Sequence, residues 1–117
     1  MLVASREKDV GCVNEMETKL CPKYANAFEL LGKRWIGMII KVLFDGTCRF
    51  KDINERIPNI SQKVLTDRLK ELEDRGIICR EVIDEKPVKV LYSLTNKGKE
   101  LEPVMDAVQV WAVKWIK

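Results

Sequence analysis

The sequence contains no histidine. Histidine is the usual general base beside a nucleophilic serine or cysteine, and it is a common zinc ligand in enzymes. Its absence excludes Ser–His and Cys–His catalysis, metal clamps made of two histidines, and the usual catalytic zinc sites. We therefore expect a protein that is not an enzyme and that uses no metal and no cofactor.

Cysteine is scarce, and its spacing excludes two further classes. The four cysteines are Cys12, Cys21, Cys48 and Cys79, and no two of them are spaced as C-x-x-C. Neither a zinc knuckle nor a thioredoxin-like pair is indicated. A thiol enzyme with Cys21 as nucleophile stays as an alternative, ranked last because no histidine is present to act as its base. In a cytosol these thiols would normally be reduced.

The chain also lacks a long apolar run. The longest lies around residues 35–44 and is interrupted by Gly37 and Lys41, whereas a membrane-spanning helix needs ~20 apolar residues. The N-terminus mixes both charge signs and has no apolar segment typical of a signal peptide. We expect a soluble, cytoplasmic protein with no membrane partner. The net charge of +3 permits nucleic-acid binding without indicating it.

The segment from Ser61 to Gly76 organises the rest of the chain. Ser61 is a good helix N-cap and Gly76 a good helix end, since glycine enters the left-handed conformation at little cost. The apolar residues between them fall on one face: Val64, Leu65, Leu69 and Leu72. The opposite face carries short hydrogen-bonding side chains and lysines, which are the types that reach base edges and phosphates. This pattern predicts a helix that reads DNA.

The flanking segments strengthen that prediction. Phe50, Ile53 and Ile57 mark a short helix that Pro58 ends, and residues 58–60 form a brief turn into Ser61. Two short helices joined by a tight turn are typical of a helix-turn-helix. Strand-like runs follow at 77–83 and 89–94, joined by 84–88, and they predict a hairpin, or wing, directly after the second helix. The alternative is an ordinary solvated amphipathic helix.

The N-terminal part of the chain divides at about residue 20. Residues 1–19 have no sustained periodicity, and we predict a flexible arm there. Cys21-Pro22 predicts a helix start, with Cys21 at the N-cap and Gly32 at the end. A second, very hydrophobic helix from Lys33 or Arg34 to Asp45 should lie at the centre of the fold. Residues 47–50 are a candidate strand that pairs with the hairpin.

The C-terminal segment predicts a surface between two subunits. Thr95 should cap the last helix, and Pro103 predicts a kink or a restart. Beyond it, apolar residues recur at spacings of three and four and also cover the other side: Leu101, Val104, Met105, Val108, Val110, Trp111, Ala112, Val113, Trp115 and Ile116. One small core cannot absorb this much apolar surface, so we expect a homodimer in which the last helix packs on a partner subunit, together with the helix that contains Tyr24. The alternative is that it folds back on its own core.

A set of motifs resembles a known family. The motifs are Cys21-Pro22, Gly32 with Trp35, Arg49-Phe50, Ile57-Pro58-Asn59-Ile60-Ser61, Leu65-Thr66 with Leu69 and Leu72, and Tyr92-Ser93-Leu94-Thr95 with Gly98. Residues 20–117 resemble the HxlR-type winged helix-turn-helix transcriptional regulators, which are relatives of the MarR-type regulators. The wing departs from the usual Pro-Pro-Arg-Val-Glu-Tyr, since residues 87–92 read Pro-Val-Lys-Val-Leu-Tyr.

The resemblance implies a fold and a function. The expected fold is mainly α with a small β-hairpin (α+β), a winged helix-turn-helix over residues 20–117 that dimerises through terminal helices. The expected function is that of a bacterial sequence-specific repressor or activator that binds double-stranded DNA, at a palindromic operator, as a homodimer. The helix starting at Ser61 is expected to lie in the major groove, and the wing to touch the backbone or minor groove.

The candidate DNA-binding residues fall into two sets. The base-edge candidates are Gln62, Lys63 and Thr66. The phosphate candidates are Ser61, Lys70, Lys86, Lys89, Arg49 and Lys51. Arg68 lies nearer the apolar side of the helix and is expected to be structural. Asp67 would repel phosphate, so it should face a cytosine amino group or another side chain.

Cys21 is the candidate redox-sensing residue. A thiol at a helix N-cap beside Lys23 lies at the positive end of the helix dipole, which favours the reactive thiolate. The resemblance adds that some family members sense electrophiles, quinones or oxidants through the matching cysteine. Cys12 is a candidate resolving partner, while Cys48 and Cys79 should pack in strands. The alternative for Cys21 is an inert buried cysteine.

Two further functions stay open beside the redox-responsive regulator. One is a regulator that responds to a small-molecule inducer in a pocket at the dimer interface. The other is a winged helix that binds only proteins, although Lys63 and Lys70 on its exposed face disfavour that interpretation.

Overall fold

The computed structural model describes residues 21–117, so the predicted arm over residues 1–19, with Cys12, lies outside the described residues. The described residues fall into two compact units, 21–33 and 34–117. The helices and strands of the described chain are α1 (Pro22–Leu31), α2 (Ile36–Phe44), β1 (Cys48–Arg49), α3 (Phe50–Arg56), α4 (Gln62–Asp74), β2 (Ile78–Ile83), β3 (Lys89–Leu94), α5 (Asn96–Lys99) and α6 (Glu102–Trp115).

Helix α1 begins where the sequence predicts. Cys21 is the N-cap, in an extended conformation, and Pro22 follows in the first turn, where a missing N–H costs nothing. Gly32 is the C-cap, and its N–H donates to the carbonyl of Phe28 at 2.9 Å. The rings of Tyr24 and Phe28 lie 5.0 Å apart, and both are more than half exposed.

Helix α2 is the centre of the core but is shorter than predicted. The prediction of a start at Lys33 or Arg34 is wrong, because the helix begins at Ile36 and ends at Phe44. Trp35 has a φ of 79°, in the left-handed region, so it cannot belong to a right-handed helix. The guanidinium of Arg34 lies 4.5 Å from the centre of its ring. The buried residues of α2 are Ile36, Ile39, Ile40, Val42 and Leu43.

The three strands form one antiparallel sheet in the order β1-β3-β2. The predicted short strand is confirmed, since Cys48 pairs with Tyr92 of β3. The register of β2 on β3 runs from Ile78 opposite Leu94 to Ile83 opposite Lys89. The loop between β2 and β3 contains the cis peptide bond preceding Pro87. This hairpin is the wing that the sequence predicts.

The two strand cysteines differ in their surroundings. Cys48 is buried, as predicted. The prediction that Cys79 packs is wrong, because its side chain is exposed and its sulfur lies 3.1 Å from the Ser93 hydroxyl. Successive strand residues point to opposite faces, and the preceding residue, Ile78, takes the buried one.

The C-terminal segment is interrupted by a break. Thr95 caps the short helix α5, as predicted, by accepting a hydrogen bond from the N–H of Gly98 at 3.1 Å. The restart predicted at Pro103 is confirmed, with the break at residues 100–101 and Pro103 in the first turn of α6. No residue of α6 is buried, and Met105 faces Gly37 of α2.

Candidate nucleic-acid interface

Helices α3 and α4 form the predicted helix-turn-helix. Ile57 ends α3, and its side chain and that of Ile60 are buried. Asn59 takes a φ of 73°, a conformation that asparagine tolerates better than most residues. The side-chain amide of Asn54 donates to the carbonyl of Ile60 at 3.3 Å. The turn is therefore fixed from both its buried side and its polar side.

Both ends of α4 are formed by the residues that the sequence singles out. The Ser61 hydroxyl accepts a hydrogen bond from the N–H of Val64 at 3.1 Å, as an N-cap does. At the other end Gly76 has a φ of 75°, and the N–H of Ile77 donates to the carbonyl of Leu72 at 2.9 Å. This six-residue closure is the usual glycine-terminated helix end.

One face of α4 is buried and the other is open to solvent. Leu65, Leu69 and Leu72 are at most 2% exposed, which fixes the rotation of the helix about its axis. The remaining candidate residues on this helix are all exposed, together with the N-cap: Ser61, Gln62, Lys63, Thr66 and Lys70. The structure therefore brings five of the nine DNA-binding candidates onto one exposed helical surface, which we call the reading face.

Two residues of the reading face already have partners on α4 itself. The Lys63 ammonium lies 3.1 Å from the Asp67 carboxylate, one turn along the helix. Asp67 therefore faces another side chain, one of the two outcomes expected for it. The Thr66 hydroxyl donates to the carbonyl of Gln62 at 2.8 Å. Both contacts are exposed and local, so an incoming duplex can replace them at small cost.

The other four candidates lie on two further elements. Arg49 and Lys51 lie where β1 passes into α3 and are exposed, and the Lys51 ammonium is 4.0 Å from Glu55. In the wing, Lys86 is exposed, whereas Lys89 is half-buried at the start of β3 and lies 3.3 Å from Glu85. Basic residues therefore lie on the helix before the reading face and on the hairpin after it.

Arg68 has the structural role that the sequence predicts. It is half-buried, and its Nε donates to the carbonyl of Arg34 at 3.1 Å. This bond joins the middle of α4 to the segment that precedes α2, next to the left-handed Trp35. Arg68 therefore fixes α4 in the fold and is turned away from the reading face.

Arg56 is a basic residue near the helix-turn-helix that is paired within the protein. Its guanidinium forms a close ion pair with Asp45, and this hydrogen bond raises the pKa of Arg56 above its ordinary value.

Beside Arg56, burial raises the pKa of the Cys48 thiol, although the nearby Arg56 acts in the opposite direction. Cys48 is therefore held as a thiol.

Cys21 differs from the other described cysteines. It is disulfide-bonded, whereas Cys48 and Cys79 are free. Its N-cap position is as predicted, but no side-chain hydrogen bond caps α1.

Residues 21–117 contain neither a candidate metal site nor a candidate membrane-spanning helix. Among these residues, no group of three or more His, Cys, Asp or Glu side chains is arranged to hold a metal ion. None of the helices there has both the length and the apolar character to cross a membrane.

Sequence reasoning missed Thr95 and Lys97 as residues that support the reading helix. Their contacts reach the residues just after α4, 18 to 22 positions away along the chain. The signal available in the sequence was the motif Tyr92-Ser93-Leu94-Thr95 with Gly98. It runs from the end of the wing into the short helix α5, where these contacts are made.

Comparison with known proteins agrees with this geometry. A model of the HxlR-like helix-turn-helix matches residues 30–117. The transcriptional regulator YodB of Bacillus subtilis is 57% identical over 97 residues, which cover 83% of this chain and 87% of YodB.

Solved structures give the same result. The reduced form of YodB superposes with a TM-score of 0.75 at 55% identity, covering 84% of this chain and 96% of that one. The redox regulator HypR in its oxidised form superposes with a TM-score of 0.77 at 35% identity, covering 81% and 98%. The chain thus belongs to the HxlR-like helix-turn-helix family and is a winged helix-turn-helix transcriptional regulator.

Proposed function

We propose that the protein binds a palindromic operator as a homodimer, with one reading face in each of two successive major grooves. The observation that carries this proposal is the reading face itself, capped at Ser61 and backed by three buried leucines. Gln62, Lys63 and Thr66 are the base-edge residues in this proposal. Ser61 and Lys70 are the phosphate contacts on α4, because side chains of this type position a protein on the duplex.

The wing and the start of α3 supply the remaining phosphate contacts. Arg49, Lys51 and Lys86 are exposed, and an exposed cation loses little solvation when it approaches a phosphate. Lys89 must first leave Glu85, so we rank its contribution below that of Lys86.

Dimerisation is supported by the unpartnered apolar side chains of α6. Its exposed apolar residues are Val104, Val108, Val110, Trp111, Val113 and Trp115, with Ile116 just after the helix. Within its own unit, α1 exposes Tyr24 and Phe28. Apolar patches of this size on a monomer usually mark an interaction surface, and a second copy is the most common partner.

The homodimer is tested by Val108→Lys. Val108 is 57% exposed, so the substitution leaves the core of the subunit intact. We expect the variant to have the mass of one chain by light scattering, with Gln109→Lys, an exposed polar position on the same helix, retaining the mass of two. If both variants keep the mass of two chains, α6 is not the dimer interface.

We further propose that Cys21 makes the regulator responsive to oxidants or electrophiles. Three observations support this: Cys21 lies at a helix N-cap, it is disulfide-bonded here, and related structures include YodB treated with diamide and YodB bound to a quinone. Since Cys48 and Cys79 are free, neither of them is its disulfide partner. Cys12 stays the candidate partner from the sequence.

The test is a fluorescence anisotropy titration of the DNA upstream of the protein's own coding region. We expect reduced protein to bind and diamide or a quinone to release it, while Cys21→Ser binds and is not released. Cys79→Ser is the matched control, because its thiol is exposed and free. Release of the Cys21→Ser protein by oxidant would remove Cys21 from the sensing role. Release by a non-oxidising ligand alone would favour the small-molecule-responsive alternative.

A further inference from the structure

The residues just after the reading helix are bonded to the start of α5. The Lys97 ammonium donates to the carbonyl of Arg75 at 2.7 Å. The Thr95 hydroxyl donates to the carbonyl of Gly76 at 2.6 Å, and the Thr95 N–H donates to the carbonyl of Ile77 at 3.0 Å. Three successive carbonyls just after α4, those of residues 75–77, therefore accept hydrogen bonds from one short segment, residues 95–97.

Gly98 shows how closely this segment approaches. A Cβ built on Gly98 would lie 2.2 Å from the carbonyl oxygen of Ile77 and 3.0 Å from Cδ2 of Leu94. Both distances are shorter than ordinary contacts, and the first involves backbone, which cannot turn aside as a flexible side chain can. The junction is therefore held by direct packing of backbone on backbone. We call residues 75–77 and 95–98 together the helix-end clamp.

The charge of Lys97 suits its position. The last carbonyls of a helix form the negative end of its dipole, and a cation there stabilises the helix end. The Lys97 ammonium is used in a hydrogen bond to a backbone carbonyl of the protein, whereas Lys63 of the reading face pairs with a neighbouring side chain on its own helix. Gly76, with its φ of 75°, turns the chain at the same point and leaves these carbonyls open to α5.

The clamp joins the reading helix to the helix that carries the apolar surface. Residues 95–98 lead through Leu101 directly into α6, whose exposed apolar face is the proposed dimer surface. The path from α6 to the end of α4 is therefore short, because only residues 100–101 separate α6 from α5 and the hydrogen bonds of the clamp join the start of α5 to residues 75–77.

We infer that Lys97 is a positioning residue for DNA recognition, holding the C-terminal end of the reading helix at a fixed angle to α6. This inference rests on the proposed function of α4. Base readout needs side chains held within ~0.5 Å of their productive geometry. Attraction to phosphates, in contrast, depends on charge and tolerates a shifted helix. Loss of the Lys97 bond should therefore weaken specific binding more than non-specific binding.

The test compares Lys97→Met and Lys97→Arg with Lys99→Met, a matched change of an exposed lysine on the same short helix. Affinity is measured under reducing conditions for two duplexes, each over a range of salt concentrations. One is the segment upstream of the protein's own coding region that the protein protects in footprinting, and the other is a scrambled version of it. We expect Lys97→Met to lower the ratio of specific to non-specific affinity by about threefold to tenfold, the scale of one ordinary net hydrogen bond, because the Lys97 bond is exposed to solvent. Lys97→Arg should restore most of it, and Lys99→Met should leave it unchanged.

The salt dependence separates positioning from direct contact. If Lys97 acts through α4, the slope of log affinity against log salt stays as in the unmodified protein. A slope reduced by about one unit would mean that Lys97 binds a phosphate, and the inference would be overturned. It would equally be overturned if both duplexes lost affinity in the same proportion, or if neither lost any.

Hydrogen exchange on the free protein gives a readout that does not depend on DNA. We expect faster amide exchange at residues 75–78 in Lys97→Met, with exchange in α2 unchanged. If exchange there is unchanged, the clamp is absent even if the protein binds DNA. If exchange increases but no duplex is bound specifically even by the unmodified protein, the clamp stands and the proposed function fails.

Discussion

The ammonium of Lys63 lies 3.1 Å from the carboxylate of Asp67 on the exposed face of α4. The two side chains are 83% and 53% exposed, so water screens the pair and it contributes little to stability. In the proposed complex its effect falls on DNA binding, because Asp67 would both neutralise the lysine and repel phosphates.

Substitution of this pair should change DNA affinity in opposite directions. Lys63→Ala should lower affinity for the specific site by about 1–3 kcal/mol if it contacts a base, and relax the preference at that base. Asp67→Asn should raise affinity for any duplex, since a carboxylate facing the phosphates is removed. Both are measured by anisotropy at low and high salt. If Lys63→Ala binds like the unmodified protein at both salt concentrations, the assignment of the reading face is wrong.

Ser61 has two roles that substitution can separate. Its hydroxyl caps α4, so Ser61→Ala should lower the free energy of unfolding by about 1 kcal/mol. Ser61→Asp keeps a capping oxygen and should keep the stability, yet its negative charge should weaken DNA binding. Urea unfolding and anisotropy measure the two quantities. Unchanged DNA affinity in the Ser61→Asp variant would show that this position lies away from the phosphates.

The free cysteines should differ in their reactivity. Burial raises the pKa of Cys48, so both access and thiolate formation disfavour its alkylation, whereas Cys79 is exposed. We expect iodoacetamide to label Cys79 first and Cys48 only after unfolding, as judged by peptide mass spectrometry. The raised pKa of Cys48 also contributes to the free energy of unfolding. This contribution is fully present below the ordinary thiol pKa and is lost as pH rises through the pKa of the folded protein, because the thiol of the unfolded chain ionises first. Cys48→Ala should remove this alkaline loss.

Substitution by alanine should have opposite effects on stability at Gly98 and at Gly37. Gly98→Ala should destabilise the protein by about 1–3 kcal/mol or more, because its Cβ would meet the carbonyl of Ile77. Gly37→Ala should be neutral or stabilising by about 0.5–1 kcal/mol, since its Cβ meets only Met105 at an ordinary 3.9 Å and alanine favours the helix. Thermal unfolding measures both. Equal melting temperatures would contradict the close packing at the helix-end clamp.

Local signals in the sequence predicted most of the helix-turn-helix. Ser61 and Gly76 define the ends of α4 because caps depend on neighbouring residues, and the leucine spacing defines its buried face. The reading face follows as the opposite side.

Non-local features could not be predicted in the same way. The left-handed conformation of Trp35, which delays the start of α2, is one that a bulky side chain rarely adopts, so no local preference predicts it. The exposure of Cys79 depends on which face of β2 is buried, and a short strand does not define this in sequence. The bond from Lys97 to the Arg75 carbonyl joins residues 22 positions apart, beyond any periodic pattern.

The central claim is that two copies of the reading face recognise one operator, and footprinting of the DNA upstream of the protein's own coding region tests it most directly. The account predicts two protected half-sites whose centres lie about one helical turn apart, ~34 Å or slightly more, and the loss of both with the Gln62→Ala, Lys63→Ala, Thr66→Val triple variant. The same two half-sites protected by the triple variant, or one unpaired protected site bound by a single chain, would contradict it.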